Sequence, residues 1–382
     1  MEYLVKRVRT NGAMRDFLRL PKSIYRDDPN WIAPLSSEIR SALDVKRNPF
    51  FIEATRELFV CYRESETVGR IAVVLNRNHW RRFKQKAVFF GFFECIDDPH
   101  AAKALFDVAE QWAHEQGADL LEGPFNPHHY SELGMRVGAC ETSPSFFQTY
   151  NPLYYNELLK EIGFQEAKRL QTRKNENVGG YLRARFSRTQ PLCVPGYTVR
   201  TLDSSDLPGE LERIREVFND AFSENWHFLP LTKNEYTYSA RYMNLVTLPE
   251  LIVIIEHIKE PVAVLEFVQD INPLLKQFHG SAGPLKLLRY HFARKNIDSL
   301  IIYAVGIKKA YQGSRVFALL LEAACRILMN YRVLETTWIS RENVLAQRAS
   351  EYLGLEPDKE FVIYEKLLNG SDIIPHEEAF TS

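Results

Sequence analysis

Apolar residues recur along this chain with two periods, and the order in which the periods alternate lays out the expected elements. In the C-terminal half, residues 197–202 read as a strand, after which Leu211, Ile214, Val217, Phe218 and Phe222 keep helical spacing across 207–222. Two apolar runs, 251–256 and 262–268, flank the polar turn His257-Ile-Lys-Glu260 and predict paired strands. Residues 300–305 predict a buried strand that passes through a turn at Gln312-Gly313 into a helix carrying Val316, Leu319, Leu320 and Ala323. A strand at 335–340, a helix around 344–353 and a last strand at 361–366 complete the order β, α, β, β, β, α, β, α, β.

The N-terminal half follows the same plan with little shared sequence. Strands are expected at 4–8, 57–62, 68–75 and 86–94, with a helical region around Met14, Phe17 and Leu18. A helix over 99–116 carries Ala102, Leu105, Phe106, Ala109 and Trp112 on one face and ends at Gly117, a C-cap. A short strand at 120–122 and a helix at 154–162, closed by Gly163-Phe164, come next. The polar, glycine-bearing stretch from Lys174 to Tyr181 separates the copies. We expect an α/β (α+β mixed-sheet) protein with domains at 1–188 and 197–369, a linker at 189–196, an insertion at 270–296 and a tail at 370–382.

Composition narrows the function classes. A chain of 382 residues exceeds what one core usually serves, so two cores fit the repeated plan. A formal net charge of −1 leaves no basic excess, so no nucleic-acid partner is expected. The N-terminus lacks an apolar signal region, no stretch is long enough to span a bilayer, and a cytoplasmic location is expected. Five cysteines without paired spacing read as reduced thiols, and no metal site is expected. The basic run from His79 to Lys86 reads as a solvated loop, able at most to meet an acidic partner.

Candidate chemistry concentrates at the turn after residues 300–305. A helix starting just past such a turn presents unpaired N–H groups and a partial positive charge, and Arg315 adds a full one, so a phosphorylated ligand is attracted there. The segment resembles the acyl-CoA-binding signature of the GNAT superfamily, in which a Gln/Arg-x-x-Gly-x-Gly/Ala turn cradles a pyrophosphate. Gln312 fits its first position; Arg315 and Phe317 depart from its small residues. In the first copy the corresponding stretch, Ile96-Asp-Asp-Pro-His100, carries two acids that repel phosphate, so that half is expected to keep the fold without binding CoA in the usual way. Asn48-Pro-Phe-Phe51, Val68-Gly-Arg-Ile-Ala72, Gly91-Phe-Phe-Glu94, Gly123-Pro-Phe-Asn-Pro127 and Asn151-Pro-Leu-Tyr-Tyr155, in that order, extend the resemblance to bacterial tandem GNAT-like proteins of the predicted N-acyltransferase type.

The resemblance implies acyl-CoA or acetyl-CoA as co-substrate. It assigns the pantetheine arm to Ala304, Val305 and Gly306, and the phosphates to Gln312, Gly313, Ser314, Arg315 and Val316; Asn343, which opens the late helix, is a further cofactor-side candidate or simply a cap. Glu266 interrupts an aliphatic strand and is the leading candidate base: if its face lines a cleft, burial raises its pKa toward neutrality, whereas on a solvated face it is one half of an ion pair. Glu335 is a second acid candidate. The family's late-helix tyrosine position holds Ser350; Tyr352, two residues on and roughly 200° around the helix, is the remaining catalytic candidate or else a packing or surface residue.

These readings converge on an N-acyltransferase that moves an acyl group from acyl-CoA, or from an acyl carrier protein, to a primary amine. The segment 270–296, with Leu274, Leu275, Phe278, Leu285, Leu288 and Phe292 among Lys286, Arg289, Arg294 and Lys295, points to a lid over a long apolar substrate or to peripheral contact with anionic lipid. A lipid amine acceptor is therefore considered beside a small-molecule one, with Trp226, Phe228, Leu229 and Pro230 adding to its pocket. The alternatives are a non-catalytic GNAT-fold binding or scaffold protein and, third, aminoacyl transfer from charged tRNA, which the missing basic excess disfavours.

Overall fold

The computed structural model describes residues 2–138, 141–186, 192–281 and 283–368. Residues 189–191 of the expected linker and the expected tail, 370–382, lie outside them. The N-terminal half contains β1 (Tyr3–Arg7), α1 (Asn11–Ile24), α2 (Ser36–Ala42), β2 (Ala54–Arg63), β3 (Glu66–Asn76), α3 (Arg77–Phe83), β4 (Ala87–Cys95), α4 (Pro99–Glu115) and β5 (Leu120–Gly123). Short strands β6 (Phe125–Asn126), β7 (Glu132–Leu133) and β8 (Met135–Val137) lead to α5 (Tyr154–Glu161), β9 (Gln165–Asn175) and α6 (Val178–Phe186). The C-terminal half runs β10 (Tyr197–Thr201), α7 (Leu207–Ala221), α8 (Lys233–Val246), β11 (Ile252–His257), β12 (Glu260–Gln269), α9 (Asn272–Lys276), α10 (Pro284–Ala293) and β13 (Ser299–Ile307). It closes with α11 (Val316–Leu328), β14 (Val333–Thr336), β15 (Ile339–Ser340), α12 (Val344–Tyr352) and β16 (Glu356–Leu367).

Local chemistry sets these boundaries. At α4, Asp98 accepts from the N–H groups of His100 and Ala101, Pro99 needs no N–H partner, and Gly117 past its end takes a φ of +78°. Its Ala102, Leu105, Phe106, Ala109 and Trp112 are all buried, as the helical spacing predicts. In α8 a reciprocal cap between Thr232 and Glu235 starts the helix. The run from His79 to Lys86 departs from the expected solvated loop: most of it forms α3, and His79 is fully buried.

Twelve of the strands lie side by side in the order β1-β2-β3-β4-β5-β16-β9-β14-β13-β12-β11-β10, with β8 and β15 paired at its middle, so that both halves share one fourteen-stranded sheet. The last strands are exchanged. β16, at the C-terminal end of the described chain, pairs with β5 of the N-terminal half through Tyr364↔Gly123 and Leu367↔Leu120. β9, from the N-terminal half, pairs with β14 through Leu334↔Asn175. The cores follow the exchange: Val362 and Tyr364 are buried in the N-terminal core beside Leu105 and Phe106, while Val178 and Leu182 of α6 are buried in the C-terminal core. The segment read as a polar divider, from Lys174 to Tyr181, is thus the end of a strand and the start of a packed helix.

Phe361 of β16 is fully buried against Phe89, Phe125 and Leu170. Phe361→Ala should lower stability by about 3–5 kcal/mol, and urea denaturation should keep a single transition seen alike by fluorescence and by hydrogen exchange in β5. An N-terminal half that unfolds unaffected by the substitution would contradict the exchange.

Candidate active site

Between the helices of the two halves lies a cavity of about 370 Å³, within the range of small-molecule sites. The five short motifs of the N-terminal half converge on it: Asn48 and Phe50, Arg70, Phe92 to Glu94, Pro124 with Asn126 and Pro127, and Asn151 with Tyr155 all supply lining residues. The C-terminal half supplies Leu202, Leu211, Leu229, Pro230, Tyr236, Glu266 and Tyr303. Trp31, Phe146, Phe147 and Leu275 make much of the remaining wall aromatic or aliphatic.

Glu266 is 5% exposed on β12, and its carboxylate accepts from the Tyr236 hydroxyl at 3.2 Å. Burial pushes its pKa up from 4.5 to about 7, with the Tyr236 bond opposing the shift. Its cross-strand partner is Ala304 on β13. The register slips by one residue immediately afterwards, so Tyr303 is the extra residue and turns toward the cavity. On its other side β13 pairs with β14 only from Ser299 to Ile302, after which the two strands splay. Ala304, Val305 and Gly306 therefore pair with β12 alone and present one open backbone edge.

The turn after β13 places Gln312, Gly313, Ser314 and Arg315 at the exposed start of α11, with Gly313 at a φ of +74°. Arg315 sits at the N-cap position and its own side chain does not cap the helix. Gln312 Nε2 donates to Ile307 O at 3.1 Å, and the Ser314 hydroxyl lies 3.3 Å from the Val316 N–H; the Val316 side chain is in the core. Asn343 caps α12, accepting from Ala346 N–H at 3.0 Å.

Two other sequence candidates lie apart from Glu266. Glu335 is buried at the crossing of the exchanged strands, where it accepts from Lys359 Nζ at 2.8 Å and from Ser145 and Gln148. Those donors saturate it, and it does not line the cavity. Tyr352 packs against Phe186 at 5.3 Å between ring centroids, with the Arg185 guanidinium 5.2 Å over its ring, and it too is absent from the cavity wall. Ser350, at the family's tyrosine position, is buried and bonds back to Ala346 O at 2.7 Å.

Sequence reasoning assigned no role to the polar cluster on the opposite wall. Glu94 accepts from Tyr155 at 2.8 Å and Tyr25 at 2.9 Å, and pairs with Arg70 at 3.4 Å. Glu132 accepts from Asn126 at 3.2 Å, and burial, reinforced by Glu38, pushes it up to about 7. An acid ending the apolar run Gly91-Phe-Phe-Glu94 is the same signal that singled out Glu266, and it could have found Glu94.

In the N-terminal copy the equivalent splay is filled by the chain itself. β4 pairs with β5 from Ala87 to Phe89, and beyond that Asn126 Oδ1 accepts from Phe92 N–H at 2.7 Å. A Cβ on Gly91 would lie 1.8 Å from the Phe125 carbonyl oxygen, so the backbones are already in contact. Asp98 meanwhile occupies the helix start where a phosphate would bind.

Two α/β units of one plan, each splayed beyond its parallel strand pair, define the tandem GNAT fold. The chain is similar over 97% of its length to a tandem GNAT protein from the clavulanic acid biosynthesis pathway, with a TM-score of 0.57, 11% identity and 100% of that chain covered. A GCN5-related N-acetyltransferase from Sphaerobacter thermophilus matches with a TM-score of 0.53 and 13% identity, over 97% of this chain and 98% of that one. In sequence the chain is 29% identical over 371 residues to the bacterial ceramide synthase of Caulobacter vibrioides, covering 94% of this chain and 96% of the relative. It is 28% identical over 372 residues to protein YghO of Escherichia coli, covering 95% of each. No protein-family model matches. No helix among the described residues is long and apolar enough to cross a membrane.

A carboxyl held near 7 in the fold and at its ordinary value when unfolded favours the folded state at low pH. That advantage is complete below about 4.5 and is lost as pH rises through about 7. Glu266→Gln has no such charge to bury, so relative to the parent its stability should gain by about 3 kcal/mol between those limits. Chemical denaturation of both proteins at several pH values measures it; a pH-independent difference would place Glu266 outside a dry cavity.

Proposed function

We propose that the protein is an N-acyltransferase that moves an acyl group from acyl-CoA, or from the pantetheine arm of an acyl carrier protein, to the primary amine of a long-chain amino lipid. The observation that carries this reading is the placement of Glu266, a buried carboxylate with a pKa near 7, cross-strand from Ala304 of β13, the strand whose opposite edge is open. Main-chain groups of Ala304, Val305 and Gly306 would pair with the pantetheine arm, and the exposed start of α11 with Arg315 would receive the phosphates. The amine nitrogen attacks the thioester carbonyl, its proton passes to Glu266, and the carbon–sulfur bond breaks to release the thiolate. Glu335 and Tyr352 have no part in this scheme.

A lipid acceptor is supported by the aromatic and aliphatic wall and by the relative named a ceramide synthase, since a ceramide is the amide of a long-chain amino alcohol. The insertion supports delivery from a membrane. Tyr290 anchors α10 in the core, while Leu285, Leu288 and Phe292 are 82%, 55% and 62% exposed on one face beside exposed Arg289 and Lys295. A helix with this face rests in the interface of an anionic bilayer. The departures at Arg315, Phe317 and Ser350 favour the second reading, a binding protein without turnover.

Thermal unfolding with CoA, acetyl-CoA and long-chain acyl-CoA, together with an amide-formation assay on a long-chain primary amine, separates the two. Donor binding should stabilise the fold by about 2.7 kcal/mol at a hundredfold excess over Kd. Glu266→Gln should keep that shift and lose about 10²–10⁴-fold in turnover, while the parent's rate rises with pH through about 7. Stabilisation without product in the parent would establish the binding protein; unchanged turnover in Glu266→Gln would remove Glu266 as the base. Independently, replacing Leu285 and Phe292 by Glu should abolish sedimentation with phosphatidylserine vesicles without changing the melting temperature, and equal sedimentation would exclude α10 as the contact.

A further inference from the structure

We propose that His79, His129 and His227 together bind one divalent transition-metal ion of the zinc class, tying the two halves together beside the cavity. The three residues come from α3, from the loop after β6 and from the loop between α7 and α8, and one ring nitrogen of each lies within 4.8 Å of the others. The ring centroids are 4.7, 5.0 and 5.8 Å apart. In a tetrahedral zinc site with bonds of about 2.0–2.1 Å, ligand nitrogens stand about 3.3 Å apart. Small rotations of the three rings therefore suffice to close the site.

The hydrogen bonding leaves room for a cation. His227 Nε2 lies 3.2 Å from Glu122 Oε1, where its N–H donates to the carboxylate; Nδ1 is then a lone pair, aimed at His79 Nε2 at 2.7 Å. A carboxylate behind a ligating imidazole is the usual device for fixing its tautomer and raising its basicity. His79 Nδ1, His129 Nε2 and Glu122 Oε2 are buried without any hydrogen-bond partner. Three orphaned atoms in one cluster are costly in a folded protein. A metal ion accounts for a lone pair on each imidazole and for the negative charge of Glu122 behind them.

Aromatic side chains shield the rings. Phe83 and Phe89 pack on the cluster, with Phe89 edge-on to both His79 and His129. An apolar shell of this kind limits solvent access to the ring nitrogens. Imidazole donors suit Zn(II), Co(II) and Ni(II). His129 also lines the cavity, so the cluster adjoins the cavity wall.

The test uses the untagged full chain and does not depend on acyl transfer. After dialysis against Zn(II) and removal of excess, elemental analysis should find one zinc per chain, chelation should lower the melting temperature, and Co(II) replacement should give the intense visible d–d bands of a tetrahedral site. His79→Ala and His227→Ala should lose the metal. Should either fail to fold, His129→Gln, at a partly exposed position, should show the same loss with unchanged far-UV circular dichroism. Parent protein that holds no more zinc than these variants, or a cobalt spectrum of octahedral aquo type, would overturn the proposal.

Discussion

Everything at the centre of this molecule depends on the exchange of two strands. Each half carries a sheet that splays beyond its one parallel pair, β4 with β5 and β13 with β14. β16 covers β5, and β9 covers β14, with each strand drawn from the other half. Covering those edges from across the molecule satisfies backbone groups that would otherwise be buried unpaired, and it makes each core incomplete without the other half. The crossing is held in register by Lys359 of β16, which pairs with Glu335 of β14 while Ser145 and Gln148 fill the remaining acceptor sites of the carboxylate. A buried pair so fully bonded adds little net stability compared with an apolar substitute, but breaking it strands a charge. It acts here as a pin: a slip of either strand by one residue would part the ions.

With the halves locked, two copies of one plan face each other and differ where it matters. In both, the third and fourth sheet strands slip register by one residue, and a charged residue occupies the last pair before the slip. In the C-terminal copy that pair is Glu266 with Ala304; in the N-terminal copy it is Arg70 with Glu94. The acid beside the open edge thus faces a small neutral residue in one copy. In the other, an arginine at the matching register position is neutralised by the glutamate opposite. The fate of the splay agrees, since Phe125 and Asn126 fill it in the N-terminal copy while β13 keeps its free edge in the other. One copy keeps an open strand edge, where the proposed function places a pantetheine arm, and its twin forms the opposite wall of the cavity.

The repeated plan was legible because most of its strands and helices bury one face, and burial imprints a period. β9 was not, because its sequence Gln-Glu-Ala-Lys-Arg-Leu-Gln-Thr-Arg-Lys-Asn is polar but for Ala167 and Leu170, too few to imprint a period. It is held by neighbours on both edges and by its long side chains, such as Arg173, which donates to Leu355 O at 3.0 Å. The exchange itself is a long-range pairing that no local pattern encodes. Glu266 could be read because an acid in an aliphatic strand is a local anomaly, whereas Tyr352 and Glu335 carried no such signal, and the structure gives each a packing partner instead. His79 and His227 are 148 positions apart, and only the packing of the halves brings their rings together.

The site's dryness bears on the chemistry in two directions at once. Burial raises the pKa of a carboxyl because it disfavours the charged form, and the same desolvation lowers the pKa of an amine. In water the two groups sit far apart, with the ammonium holding its proton by about six units over a glutamate. Glu266 has already moved up to about 7 on its own, and an amine drawn into the same aromatic wall moves down toward it. Under the proposed reaction an apolar tail on the acceptor serves reactivity as well as binding, because the deeper it draws the amine from water, the smaller the gap that Glu266 would bridge. A short, well-hydrated amine gains no such help, so under the proposed reaction the environment of Glu266 supports an acceptor that carries its own hydrocarbon.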